Sequence, residues 1–536
     1  MKRIMILILT LALILIAVPV MAQETQITLY EYFASETLPQ IYIETENGMA
    51  LNDASLIDPD RHAGTRGHLP VYNYIDALVS VRDCEGYDFK NAPALVRIRG
   101  NYTSSTPKHP MRIKFDKKHA MCGLNDGREL KNWVLLGEAI DPSLLRNSAA
   151  LYIANSLYST TGNYATDFRN VEVFINGEYY GVYLLAEQQE VNKYRVNVPA
   201  PENPKDYDTD SMTEEELAAL KDGHTGYFIE YDGYYFNEDT FETFSIRYDP
   251  VTRPNGQTFL PKSTGNGLNN NPFASIRWYG GVGGDGIGDT RETGFTIKSD
   301  IYFEEQNAFI KNVMQTIWDV LYDAVYTDHS DLATHPYHTM DGDGNYIADP
   351  SITTAYEAAA KVADLDSLID MTIIQELAQD GDLDWSSLFF SIDMSPEGNH
   401  LLTYTAPWDF DGAFKTDADT DTMFVMNYDN PWFVLFYGQD WFWEKLNERW
   451  DTAMEAGVFT GVLEMLDAIT EANEEAYVRN YERWAEENKP DLGDLIMGTR
   501  SEEDNVTQPE GEQSLRNWIE TKINAFDRQL NEMAEQ

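Results

Sequence analysis

The chain has 536 residues, of which 43% are apolar and 12% aromatic, enough for one large core or several smaller ones and too rich in apolar residues for a disordered polymer. Its 39 Lys+Arg stand against 89 Asp+Glu, a formal charge of −50 at pH 7. A surface that acidic repels phosphate backbones, which argues against nucleic-acid binding and makes cations important as screening salt or bound metal.

The chain opens with basic Met1-Lys2-Arg3, an apolar run over residues 4–18 interrupted by Thr10, and Pro19-Val20-Met21-Ala22. This pattern predicts a secretory signal peptide over residues 1–22 and a secreted, extracellular protein. The alternative is an uncleaved anchor, although the run is shorter than the ~20 residues a bilayer span needs. No second stretch of 18 apolar residues follows, so no membrane association is expected after signal cleavage. Cys84 and Cys122 are the two cysteines; they either form one disulfide or remain two buried thiols, and two are too few for a thiolate zinc site.

After a leader over residues 23–37, residues 38–198 read mostly as strand. Short β-rich runs occupy residues 41–43, 77–81, 94–98 and 111–115. Residues 171–186 read as a hairpin turning at Asn176-Gly177, a type I′ signal. Residues 142–158 carry helical spacing behind Asp141, a candidate N-cap. The expectation is a sheet with one helix on it. Residues 199–289 read as an irregular insertion around a strand at 226–230. A helical region follows over about 290–450, with helices at 306–326, 364–378 and 441–488 and a short β pair at 388–393 and 401–405. Residues 451–536 read as a C-terminal helical extension.

Three segments could carry chemistry. Pro407-Trp408-Asp409-Phe410-Asp411-Gly412 follows a strand, and two carboxylates two residues apart suit Mg²⁺ or Mn²⁺. Asp380-Gly381-Asp382-Leu383-Asp384 precedes the other strand of that pair. Each cluster taken alone is equally a solvated turn. The third segment, from Arg97 to Lys114, concentrates basic residues around a small, hydroxylated loop able to approach phosphate oxygens. Its alternative is a hairpin edge whose Lys and Arg blunt strand pairing. Together, a basic loop early and two Asp loops around a late hairpin follow the order of phosphoryl-transfer parts in protein kinases.

On these residues the sequence resembles the CotH kinase family, secreted or spore-coat-associated proteins with an atypical protein-kinase-like fold. The resemblance rests on RGNYTSSTPKHPMRIKF (residues 99–115), NWVLLGEAIDPSLLRN (132–147), VEVFINGEYYGVYLLAEQQE (171–190), TIKSD (296–300), the 380–393 region and PWDFDGAF (407–414), and covers residues 38–450. It implies an α+β, two-lobed fold with a β-rich N-lobe and an α-rich C-lobe. It also implies ATP-dependent phosphorylation of a protein Ser/Thr hydroxyl with Mg²⁺ or Mn²⁺, on an extracellular or envelope protein. By the same resemblance Lys108 and Arg112 contact the ATP phosphates, with Arg99 and Lys114 as further candidates. Glu187 lies near the adenine, Asp382 orients or deprotonates the acceptor hydroxyl, and Asp409 binds metal with Asp411 beside it. Asp380 and Ser387 stand where the family tends to carry Asn, and His109 where a second Lys is common.

Two further classes stay open on sequence: a non-catalytic extracellular or coat-associated scaffold that keeps the fold, and a carbohydrate-active protein with paired carboxylates. Asp341-Gly342-Asp343-Gly344-Asn345 begins like a calcium loop, but Tyr346 and Ile352 break the pattern, so it reads as a turn. The aromatic run at 431–443 reads as core packing, with a sugar platform as the alternative.

Overall fold

The computed structural model describes residues 26–534 except 36, 64–68, 236, 237, 239, 254, 262–292, 382, 384, 415–419, 421, 422, 424–429 and 488–505. The leader at 1–22 therefore lies outside the described residues. Among those described, no helix is long and apolar enough to cross a membrane.

The front half is built from β1 (Gln40–Thr45), β2 (Ile75–Arg82), β3 (Phe89–Ile98), β4 (Met111–His119), β5 (Leu130–Leu136), β6 (Phe168–Ile175) and β7 (Glu178–Glu187). The sheet read from sequence closes into a seven-stranded barrel, in the order β1-β2-β3-β4-β5-β7-β6. The seam is the parallel pairing of β1 with β6, Ile41 opposite Val173. Closure leaves no exposed edge. Its inside follows from period-two alternation: Val79, Val96, Ile98, Ile113, Trp133, Val173 and Leu185 share one core. The β6–β7 turn has positive φ at Asn176 and Gly177, as a type I′ turn requires.

The outer face of β5 and β7 (Val134, Leu136, Val182, Leu184) joins a second, larger core with helix α1 (Arg146–Tyr158). The expected helix start is displaced. The Asp141 carboxylate accepts from the N–H groups of Ser143, Leu145 and Arg146, so it organises a turn over residues 142–145 and the helix begins after it.

The strand expected at 226–230 within the insertion runs over Gly226–Asp232 and is central to a second sheet. In the second sheet β8 (Gly226–Asp232), β9 (Thr243–Phe244), β10 (Gly294–Ile297), β11 (Leu388–Asp393) and β12 (Thr403–Thr405) run in the order β9-β10-β8-β11-β12. Around it lie α2 (Glu304–Tyr326), α3 (Leu365–Ala378), α4 (Asp440–Ala456), α5 (Val458–Ala472), α6 (Glu474–Trp484) and α7 (Gln508–Ala534). The helix read over 441–488 is three helices, broken at Gly457, whose φ is 81°, and at Asn473. The mixture of a β-rich front and a helical back is an α+β architecture.

The C-terminal helices belong to the same packing. Leu515, Trp518 and Phe526 of α7 share the core with Ile369 of α3 and Trp450 of α4. Helix α6 lies against β7, where Asn480 accepts the Val182 N–H at 3.0 Å and Trp484 donates to the Tyr180 carbonyl at 2.7 Å. Gly181 between them has φ 117°, and a Cβ there would meet Asn480 Oδ1 at 2.6 Å. The aromatic run is core, with Trp432, Phe433 and Phe436 fully buried. The 341–345 segment is a turn closed on the Asp341 carboxylate.

Candidate active site

Strands β3 and β4 point their basic residues outward because the alternate positions fill the barrel. The register sets Arg97 opposite Arg112 and Leu95 opposite Lys114. The outer face therefore carries Arg99, then the Arg97–Arg112 pair, then exposed Lys114. Arg99 lies over the Trp408 ring at 5.5 Å and Arg97 over the Tyr74 ring at 4.9 Å. The Nε atoms of Arg97 and Arg112 are buried and make no hydrogen bond.

Lys108 follows the short turn Tyr102–Ser105 and is fully buried, its Nζ without a hydrogen-bond partner and 5.0 Å from the Tyr183 ring centre. Burial draws its ammonium down to about 7, against the pull of Glu138 and Asp141. Its carbonyl packs on Gly137, where a Cβ would lie 2.3 Å away, so only glycine lets the two segments approach. The Glu138 carboxyl is pushed well above its ordinary range, first by burial and then by Asp141 and Asp411. Asn147 donates to both Glu138 oxygens, at 3.1 and 3.3 Å.

The Asp409–Asp411 turn meets this wall from the other side. Asp409 is in the left-handed region at φ 72°, and Ser387 Oγ donates to its Oδ2 at 3.4 Å. Burial raises the Asp409 carboxyl, opposed chiefly by Arg99, while Glu230 adds to the rise. Helix α1 holds the turn: Asn147 Oδ1 accepts the Phe410 N–H at 2.9 Å and Arg146 donates to the Asp411 carbonyl at 3.0 Å. From beyond β7, Gln189 donates to the Ala406 carbonyl at 2.7 Å. Glu230 accepts the Ser387 N–H at 3.1 Å and pairs with Lys298 at 2.7 Å, giving the 296–300 motif its place beside the site.

Of the residues singled out by sequence, Arg99 lies among Arg112, Asp409 and Asp411, while Lys108 and Asp411 both act on Glu138. Lys114 lies farther along β4, opposite Asn132. Glu187 closes β7 opposite Trp133, and its carboxylate is engaged by Arg195 at 2.9 Å and Asn125 at 2.6 Å. That side chain is therefore committed to the protein. Asp382 lies outside the described residues, as does Asp384; Asp380 is buried. Sequence reasoning gave no site role to Glu138, Asn147 or Glu230, and read Asp141 only as a helix cap and Arg97 only as part of the basic run. The one available signal was acids and amides inside an otherwise apolar stretch, residues 132–147.

A Mg²⁺ ion that accompanies a nucleotide takes one or two protein carboxylates and completes its shell with phosphate and water. Asp409 and Asp411 fit that donor set. Among the described residues no group of three or more His, Cys, Asp or Glu side chains could hold a metal by itself.

Residues 96–244 match the model of the family described as CotH kinase protein. This segment belongs to the CotH kinase family. The CotH match takes in the basic wall, Lys108, Glu138 and Glu187, and ends before Asp409. No curated protein matches the chain.

Proposed function

We propose that the chain is a secreted CotH-type protein kinase of two-lobed, protein-kinase-like architecture, transferring the γ-phosphate of ATP to a protein Ser/Thr hydroxyl with Mg²⁺ or Mn²⁺. The observation that carries this reading is Lys108: a buried ammonium with no hydrogen-bond partner beside Glu138, a carboxyl that Asp411 also influences. An unpaired buried cation is costly unless an anion completes it.

In this reading the nucleotide lies along the outer face of β3 and β4. Its base lies at the Glu187 end, against the backbone of the segment that follows, and its phosphates lie between Arg97, Arg99, Arg112 and Lys108. Glu138 positions the Lys108 ammonium. Asp409 and Asp411 hold the metal, which when bound neutralises charge on the transferring phosphoryl group. Asp382, by its place in the sequence, orients the acceptor hydroxyl and takes its proton. The acceptor is an extracellular or envelope protein.

The test is transfer of labelled γ-phosphate by the chain from Gln23 onward, with Mg²⁺ or Mn²⁺ and a Ser-rich acceptor. Labelling lost in Asp409→Ala, Asp382→Ala and Lys108→Met is the expected result. No labelling, with no change in Tm on adding Mg²⁺-ATP, replaces the kinase by a non-catalytic scaffold that retains the fold.

A further inference from the structure

Two turns outside the proposed site are seated on one another. Cys84 follows β2 and opens a turn in which its carbonyl accepts the Tyr87 N–H at 2.7 Å, while the Asp88 carboxylate accepts the Cys84 N–H at 2.9 Å. Cys122 follows β4 in a turn where Cys122, Gly123, Asn125, Asp126 and Gly127 all have positive φ. Tyr87 packs on that turn so closely that a Cβ on Gly127 would lie 2.6 Å from its hydroxyl. The two cysteines are fully buried in one core cluster, and a single guanidinium reaches both. Arg169 donates to the Cys122 carbonyl at 2.9 Å and lies 3.6 Å from Cys84 Sγ. A guanidinium there favours the Cys84 thiolate, the nucleophilic form.

The second turn also holds a carboxylate. Asn125 Nδ2 donates to Glu187 Oε1 at 2.6 Å and to the Tyr194 carbonyl at 2.8 Å, and the Asn125 N–H donates to Asp167 at 2.7 Å. Cys122 is thus three residues from the group that fixes the end of β7.

We propose that Cys84 and Cys122 are a disulfide-forming pair, and that their oxidation locks the 122–127 turn on which the Glu187 network is built. The oxidant is a disulfide, of a small molecule or an exchange protein. The Cys84 thiolate attacks one of its sulfurs and expels a thiolate. Cys122, deprotonated, then attacks the mixed disulfide at Cys84 and releases the second thiol. Two protons and two electrons leave the pair and reduce one disulfide to two thiols. The approach is the surface hollow lined by Asp83, Glu85, Gly86 and Asp88 beside Cys84.

The experiment needs no kinase activity. The reduced chain is incubated with oxidised glutathione, unfolded, alkylated and weighed. The expected product is two hydrogens lighter, takes no alkyl group, and yields a peptide linking residues 84 and 122. Its Tm exceeds that of the reduced chain by several degrees, amide exchange slows at Asn125, and Cys84→Ser abolishes both differences. Two alkyl groups after oxidation, or glutathione adducts without a crosslink, overturn the pairing. A crosslink with unchanged Tm and exchange overturns the lock.

Discussion

Arg97 and Arg112 stand directly opposite each other across β3 and β4, and the Nε of each is buried without a hydrogen bond. Like charges directly opposite on a strand pair are unfavourable by a few tenths of a kcal/mol or more. In a chain with more than twice as many acids as bases, the proposed function gives such a pair a purpose, which is to meet the phosphates of the nucleotide. Arg97→Gln should therefore raise Tm slightly in the absence of ligand and weaken Mg²⁺-ATP binding about tenfold or more, the scale of a charge-assisted contact. Calorimetric titration and a thermal melt measure both; a lower Tm with unchanged affinity would make Arg97 a structural residue.

Lys108 makes proton uptake the signature of anion binding. With its ammonium drawn down to about 7, it is mostly neutral at pH 8, and a phosphate oxygen beside it restores the charged form. Nucleotide binding at pH 8 should take up close to one proton at this site and at pH 6 very little. Titrations in buffers of different ionisation enthalpy read this directly, and subtracting Lys108→Met removes the nucleotide's own protons.

The same shift sets a stability trend in the ligand-free protein. Because the folded-state value of Lys108 lies below its ordinary 10.5, the unfolded chain binds more protons between about 7 and 10.5, and stability rises with pH across that window. Lys108→Met should flatten this part of the profile and be the more stable protein below pH 7. Equal slopes for the two proteins would show that the ammonium is not held in a charge-excluding site.

Asn147 joins the two halves of the proposed site, accepting from the Phe410 N–H and donating to Glu138. Asn147→Ala leaves a buried N–H and a buried carboxyl without this partner, a loss of about 2 to 3 kcal/mol. Asn147→Asp keeps the acceptor for Phe410 but sets a second carboxyl against Glu138, so it should be at least as damaging. If Asn147→Ala melts like the parent and transfers phosphate normally, the link is dispensable.

How much of this was legible in sequence follows from what each signal depends on. Period-two alternation and Asn176-Gly177 are local, so the strands and the hairpin could be read directly. Barrel closure depends on β1 meeting β6 across more than a hundred residues, which no local pattern encodes. The basic run and the Asp409 turn stood out by composition. Glu138 did not, and Asp141 only as a helix cap, because their role comes from burial beside Lys108, and in a chain this acidic two more acids carry no contrast. Helix α1 is buried on nearly all sides, so its pattern could not show where the Asp141 turn ends and the helix begins.

The C-terminal helix α7 was read as an extension, yet Lys522 forms a 2.7 Å ion pair with Glu376 of α3, both side chains 1% exposed. Helix α3 leads directly into the Asp380 loop, and the first turn of α7 lies against the Asp141 turn, with Gln508 donating to the Ser143 carbonyl at 2.9 Å. Lys522→Met removes the ion-pair partner of a buried carboxylate and should cost about 3 to 5 kcal/mol. Replacing both residues, Lys522→Met with Glu376→Met, removes the charge as well and should recover most of that loss. Denaturant unfolding of the two variants separates the outcomes. A single variant as stable as the parent would mean that the ion pair contributes little to seating α7, whereas loss in the single and recovery in the double makes α7 part of the packing that holds α3.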